Sequence, residues 1–137
     1  MILVDTNVWS EMTKARTDPS VENWMLANEN QLLMSAIVLA EIRVGIENPA
    51  AAAKRSGLEV WYNQLESDYA DNLLTFGSND AGHFGRLVAA RKMEKQETKL
   101  LDIQIAAQAL ANDCPVATRN VHDFEWTGVK LVNPWES

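Results

Sequence analysis

Met1-Ile2-Leu3-Val4-Asp5-Thr6-Asn7-Val8 decides how the rest of the chain is read. Four apolar residues without polar alternation suit a strand covered on both faces, as in a parallel sheet. Asp5, Thr6 and Asn7 are residues that cap helices, so a short helix over about Val8 to Thr13 is expected next. The same alternation continues outward. Asp18-Pro19 opens a helix to about Glu29, and Gln31 to Met34 reads as a second strand. Ser35 is placed to cap a helix from Ala36 to Glu47. Asn48-Pro49 starts another, running to about Ser67, in which Leu58, Trp61, Tyr62 and Leu65 recur at helical spacing. Leu73 to Phe76 reads as a strand, and Ser78 as the cap of a helix to about Gln96. Leu101 to Asn112 reads as a buried helix, and Val116 to Thr118 and Lys130 to Val132 as the last strands. Strands separated by helices long enough to cross over imply an α/β fold with a central parallel sheet. Ligands in such folds bind beyond the carboxyl ends of the strands. The residues to inspect are therefore Asp5-Thr6-Asn7, Ser35 and Thr118-Arg119-Asn120.

Composition narrows the classes. The chain has 137 residues, enough for one domain over 1–137 with a core of its own. A single cysteine, Cys114, excludes an internal disulfide framework. Two histidines, His83 and His122, leave too few soft ligands for structural zinc. No apolar run has the length of a membrane span, and no signal peptide pattern is present, so a soluble cytoplasmic protein is expected. The net charge of −7 argues against a broad basic surface for nucleic acid. It leaves open a nucleic-acid enzyme whose acids are concentrated at a metal site. Five of the 12 basic residues (Arg86, Arg91, Lys92, Lys95, Lys99) fall within 86–99, where a solvated helix face explains them.

Four acids stand out, and each has two readings. Asp5 follows the first strand, as a helix cap or as a site carboxylate. Glu41 lies among Ile37, Val38, Leu39 and Ile42, turned to solvent or held in a pocket. Asp102 lies in the first turn of a nearly all-apolar helix, where the helix dipole alone favours an acid. Asp123 follows a strand in Thr118-Arg119-Asn120-Val121-His122-Asp123-Phe124, as a cap or a site residue. Taken jointly, a parallel sheet brings Asp5 and Asp123 to one edge, within reach of the helices carrying Glu41 and Asp102. Carboxylates crowded together repel and raise each other's pKa unless dications neutralise them. Oxygen ligands without Cys or His select Mg²⁺ or Mn²⁺. These four acids make up more than half of the net charge.

At this point the sequence resembles PIN-domain ribonucleases, and more narrowly VapC-type toxins of the FitB-like group. Ile2-Leu3-Val4-Asp5-Thr6-Asn7-Val8 is similar to the family's first motif, and Ser35-Ala36-Ile37-Val38-Leu39-Ala40-Glu41-Ile42 with Gly45-Ile46 to its second. Leu101-Asp102-Ile103-Gln104-Ile105-Ala106-Ala107-Gln108-Ala109 is similar to the third. Thr118 to Phe124, with Gly128-Val129 and Asn133-Pro134-Trp135, is similar to the fourth. The stretch Gln96-Glu97-Thr98-Lys99 lacks a glycine often found before the third motif. The likeness spans essentially the whole chain and implies a three-layer α/β/α PIN-like domain with a central parallel sheet. It implies an endoribonuclease using Mg²⁺ or Mn²⁺, with products ending in 5′-phosphate and 3′-hydroxyl. In that reading Asp5 and Asp102 bind metal directly, Glu41 binds through water, and Asp123 or Asn120 completes the set. Thr6, Asn7 and Thr118 would orient carboxylates or water, with capping and strand-end hydrogen bonds as their plainer role. Arg119 would hold a phosphate or form a surface ion pair. The implied partners are RNA (tRNA or rRNA among the candidates), a VapB-type antitoxin, and a second copy of the chain in a homodimer or larger toxin–antitoxin assembly. Two other classes compete: a catalytically silent PIN module, and a receiver-like Mg²⁺-binding phospho-acceptor. The latter requires a lysine where Thr118-Arg119-Asn120 stands.

Overall fold

A computed structural model describes residues 1–93 and 99–137. The helix end expected near Gln96 and the glycine-free stretch over Gln96, Glu97 and Thr98 lie outside the described residues. In chain order, β1 (Ile2–Val4), α1 (Thr6–Glu11), α2 (Pro19–Asn28), β2 (Leu32–Ser35) and α3 (Ala36–Glu47) come first. Then follow α4 (Arg55–Asp68), β3 (Leu73–Leu74), α5 (Ser78–Met93), α6 (Leu100–Ala111), β4 (Val116–Ala117), α7 (Val121–Phe124) and β5 (Leu131–Val132). Every residue of β1 and β2 is buried, and successive side chains point to opposite faces, so both faces of these strands are covered. That is the three-layer arrangement which the uninterrupted apolar run implied.

All pairings are parallel, in the order β3-β2-β1-β4-β5. The chain winds outward from β1 through β2 to β3, then returns to the other side of β1 for β4 and β5. The strand order therefore reverses between β1 and β4. A crevice opens at such a reversal, outside the carboxyl ends of the two strands. Register fixes what faces it: Val4 pairs with Ala117, so Asp5 and Thr118, each one residue further on, emerge side by side. The core beneath is built from Leu3, Val4, Met34, Val38, Ile105, Val116 and Phe124.

Local chemistry moved several boundaries. Asp5 caps α1 by accepting from the Thr6 amide at 2.8 Å, so the helix starts at Thr6 rather than Val8. The helix expected from Pro49 is split: Pro49–Lys54 is a 3₁₀ segment, and α4 begins at Arg55. Asn48 accepts from the Ala50 amide, and the Arg55 side chain donates back to the Ile46 and Asn48 carbonyls, which closes the alanine run into a tight wrap. Ser78 is the first residue of α5 rather than its cap. The start of that helix is fastened instead by Asp80, which accepts from the Gly77 amide at 2.7 Å. Cys114 lies in the core, where burial pushes its thiol up. Among the described residues, no helix is long and apolar enough to cross a membrane.

Candidate active site

The acids singled out in the sequence come from four separate stretches of chain, the first of them at the carboxyl end of β1. Asp5 is 4% exposed and anchored by three donors. The Thr6 amide reaches its Oδ1 at 2.8 Å, while the Thr118 hydroxyl at 2.8 Å and the Asn7 amide group at 3.2 Å reach its Oδ2. Thr118 is completely buried and serves three neighbours: it donates to Asp5 and accepts from Asn7 Nδ2 and from the Asn120 amide at 3.0 Å. Asn7 Oδ1 accepts the Arg119 amide at 3.2 Å. The capping residues after β1 and the loop after β4 are thus stitched into one unit whose centre is a carboxylate.

Glu41 enters from α3, half-buried, with the Thr6 hydroxyl donating to its Oε1 at 3.0 Å. Thr6 therefore contacts both acids, Asp5 through its amide and Glu41 through its side chain. Asp102 enters from the first turn of α6, and Asp123 lies within α7 with its side chain 39% exposed. Burial and neighbouring charge set how these groups ionise. Burial raises the Asp5 carboxyl despite its three hydrogen bonds, and the charge of Asp123 raises it further. Burial also raises Glu41, against the Thr6 hydrogen bond, with added repulsion from Asp5 and Asp102. Asp102 is pushed up to about 6, chiefly by burial and then by Asp5 and Asp123, while Lys99 opposes the rise.

The donor set is wholly oxygen, negative, and short of cations, which is the chemistry of a hard dication site. Among the described residues, no three acid, imidazole or thiolate groups stand close enough together to enclose an ion directly. Mg²⁺ makes no such demand, because it retains several waters and uses one or two protein carboxylates. The residues therefore fit a hydrated ion held at the cluster better than a stripped one in a cage.

A family model described as PIN domain matches residues 2–126. The chain belongs to the PIN domain family. It is 36% identical to the VapC ribonuclease Y4jK of Sinorhizobium fredii, covering 99% of each chain. It is 31% identical to the toxin FitB of Neisseria gonorrhoeae, over 98% of this chain and 99% of that one. Among solved structures, FitAcB from Neisseria gonorrhoeae superposes with a TM-score of 0.90 at 29% identity, over the whole of both chains.

Within this PIN domain the remaining candidates divide. Thr6, Asn7 and Thr118 all touch Asp5 or Glu41. Arg119 is placed by its backbone, but its guanidinium lies over the Trp135 ring at 5.0 Å rather than among the carboxylates. Asn120 is exposed, and its side chain makes no capping bond to α7. Three residues that the sequence left as surface or unplaced also border the acids. Lys99 Nζ stands 3.4 Å from Asp123 Oδ2, Trp126 Nε1 donates to the Asp123 carbonyl at 3.0 Å, and Arg91 lies over the Trp126 ring at 4.8 Å. The spacing of three between Asp123 and Trp126 was a readable signal for one of them.

Proposed function

We propose that this PIN domain is a metal-dependent endoribonuclease, the toxin of a VapBC-type pair. The observation that carries the reading is geometric: Asp5 emerges beside Thr118 where the strand order reverses, Thr6 ties Glu41 to Asp5, and Asp102 and Asp123 line one cavity. Two relatives that span nearly its full length are named as a VapC ribonuclease and as the toxin FitB, which supports both the activity and the class. Asp5 and Asp102 would hold Mg²⁺ or Mn²⁺ directly, Glu41 through water, with Asp123 at the open edge. When bound, the ion supplies a water acidified for attack on a phosphodiester and charge to balance the leaving oxygen.

The chain's own contribution is positional. Thr118 and Asn7 fix the orientation of the Asp5 carboxylate. Thr6 holds Glu41 at a set distance from Asp5. A VapB-type antitoxin with a cationic segment would suit the negative crevice, and a homodimer, alone or within a larger assembly with the antitoxin, accords with the relatives' class. Localisation in the cytoplasm would suit an RNA substrate.

The test is cleavage of RNA by the purified chain with Mg²⁺, with Mn²⁺, and after chelation, mapped by sequencing the new 5′ ends. Cleavage that requires the metal and is abolished in Asp5→Asn is expected. Undiminished cleavage by that variant, or by the chelated protein, would refute the reading.

A further inference from the structure

Beside the acidic cluster lies a cavity of about 440 Å³, lined by Arg91, Lys99, Asp102, Ile103, Asp123 and Trp126. Its size is far beyond an ion or a phosphate and falls in the range of about 300–1,000 Å³ typical of small-molecule pockets. Two of its walls are Asp102 and Asp123, so whatever fills it sits next to the proposed reaction centre. Trp126 is fixed by its edge. The indole N–H is spent on the Asp123 carbonyl, which leaves the ring faces as its remaining chemistry. The Arg91 guanidinium lies 4.8 Å from that ring, a planar cation against a planar π-system. Ile103 adds an apolar wall and is itself almost fully buried.

Arginine–aromatic stacks are common, and among the described residues Arg43–Tyr62 and Arg119–Trp135 form two more. Of the three, only Arg91–Trp126 shares its cavity with two of the four clustered carboxylates. Unpaired bases are recognised by stacking on aromatic rings and guanidinium planes, and each such stack is sequence-tolerant unless a pocket shapes it. We propose that this pocket takes one unpaired nucleobase of the RNA, the neighbour of the bond that is cut, stacked on the Arg91–Trp126 pair. The pocket thereby becomes a determinant of where the strand is cut. The inference rests on the nuclease reading above.

The experiment uses short single-stranded RNAs with one cleavage position, in which the nucleotide on either side of it is A, C, G, U or abasic. With the wild-type protein, removing the base on one side is expected to slow cleavage about 5- to 150-fold, the range of one base–aromatic stack. Trp126→Leu and Arg91→Gln should each shrink that ratio toward one, and Trp126→Phe should largely keep it. Binding of the same RNAs to Asp5→Asn, with and without Trp126→Leu, reads the ratio again without cleavage and independently of any loss of turnover. An abasic penalty that persists unchanged in Trp126→Leu and Arg91→Gln would overturn the pocket while leaving the nuclease intact. So would a loss of antitoxin affinity in those variants with the RNA ratio untouched. Absence of any RNA cleavage by the wild type would overturn both readings together.

Discussion

Asp5 and Glu11 stand at opposite ends of α1, and each is 4% exposed. Their carboxyl groups are nevertheless pushed in opposite directions, Asp5 up and Glu11 down. Glu11 is held by the Lys14 ammonium at 2.8 Å and by the Asp18 amide at 3.1 Å, with the Arg119 charge nearby. Asp5 receives only neutral donors, and the charges around it are other carboxylates. Exposure is the same, but Asp5 lies deep among protein atoms, where desolvation outweighs its neutral donors, whereas Glu11 lies close beneath the surface, where the Lys14 and Asp18 donors outweigh desolvation. Glu11 is a completed structural ion pair, whereas Asp5 is a negative charge that the fold has surrounded without neutralising. Such uncompensated groups concentrate at functional sites.

The sharpest way to break that contrast is a pair of isosteric substitutions. Asp5→Asn should lower metal-dependent cleavage by about 10²–10³-fold or more, the scale of losing one group that stabilises developing charge, while the chain stays folded, because the hydrogen bond lost at one oxygen is offset by removal of a buried, repelled charge. Glu11→Gln should do the reverse. It turns one of the two oxygens, which accept from the Lys14 ammonium and the Asp18 amide, into an NH₂ donor and so orphans one of those donors, costing about 1–3 kcal/mol, with cleavage retained at temperatures where it is folded. Thermal melts and initial rates on both variants decide. Equal activity losses would mean that the two acids are not different in kind.

Metal and pH sharpen the comparison next. A carboxyl whose folded pKa is raised holds more protons folded than unfolded, so its ionisation costs stability. That cost is absent below the unfolded value near 4 and grows as pH rises toward about 6, where Asp102 titrates. A dication that binds the ionised cluster reverses it. Adding Mg²⁺ or Mn²⁺ is expected to raise the melting temperature at pH 7.5, by about 3–5 °C per kcal/mol of linkage, and to do little at pH 5. Asp5→Asn should blunt the rise. Differential scanning calorimetry at the two pH values measures it, and a metal-induced rise that is as large at pH 5 would contradict the assignment of these carboxyls.

How much of this was legible depends on the range of the interaction. The apolar run Ile2–Val4, the caps Asp18, Ser35 and Asn48, and the alternation of strands and helices are local properties, and they yielded the parallel sheet. The positions of Asp5 and Thr118 were legible too, because strand ends in a parallel sheet lie on one edge. The Glu11–Lys14 spacing of three was on the page, but the burial of Glu11 depends on the chain turning back at Asp18. The grouping of Lys99 with Asp123 and of Arg91 with Trp126 joins residues 24 and 35 positions apart, and no periodicity encodes it. The 3₁₀ wrap over Pro49–Lys54 was hidden for a similar reason: Arg55 reaching back to Ile46 overrides the helical preference of four alanines.

A smaller effect is expected where the Asp5 side of the crevice is held rather than formed. Thr118→Val keeps the shape and removes the hydroxyl that donates to Asp5 and accepts from Asn7 and Asn120. Loss of a partner that orients a metal-binding carboxylate typically costs about 10–100-fold in metal affinity or activity. The variant should therefore need more Mg²⁺ or Mn²⁺ for half-maximal cleavage, with a partial recovery at high metal. Activity lost without any change in metal requirement would make Thr118 a support for the strand end alone.

The least effect on stability, and the most specific on ionisation, belongs to Lys99. Its ion pair with Asp123 is 3.4 Å long, and the lysine side chain is 71% exposed, so solvent screening leaves it about 0–1 kcal/mol. Lys99→Gln should accordingly leave the melting temperature nearly unchanged. Lys99 is, however, the cation that opposes the rise of Asp102. Removing it takes away a charge that favours the ionised form, so Asp102 should titrate above about 6 and the acidic limb of the pH–rate profile should move to higher pH. Since Glu11 keeps Lys14 and Asp5 never had a cation, this one substitution moves Asp102 away from the Glu11 condition and toward that of Asp5. A profile that stays where it was would mean that the rate-limiting ionisation belongs to some group other than Asp102.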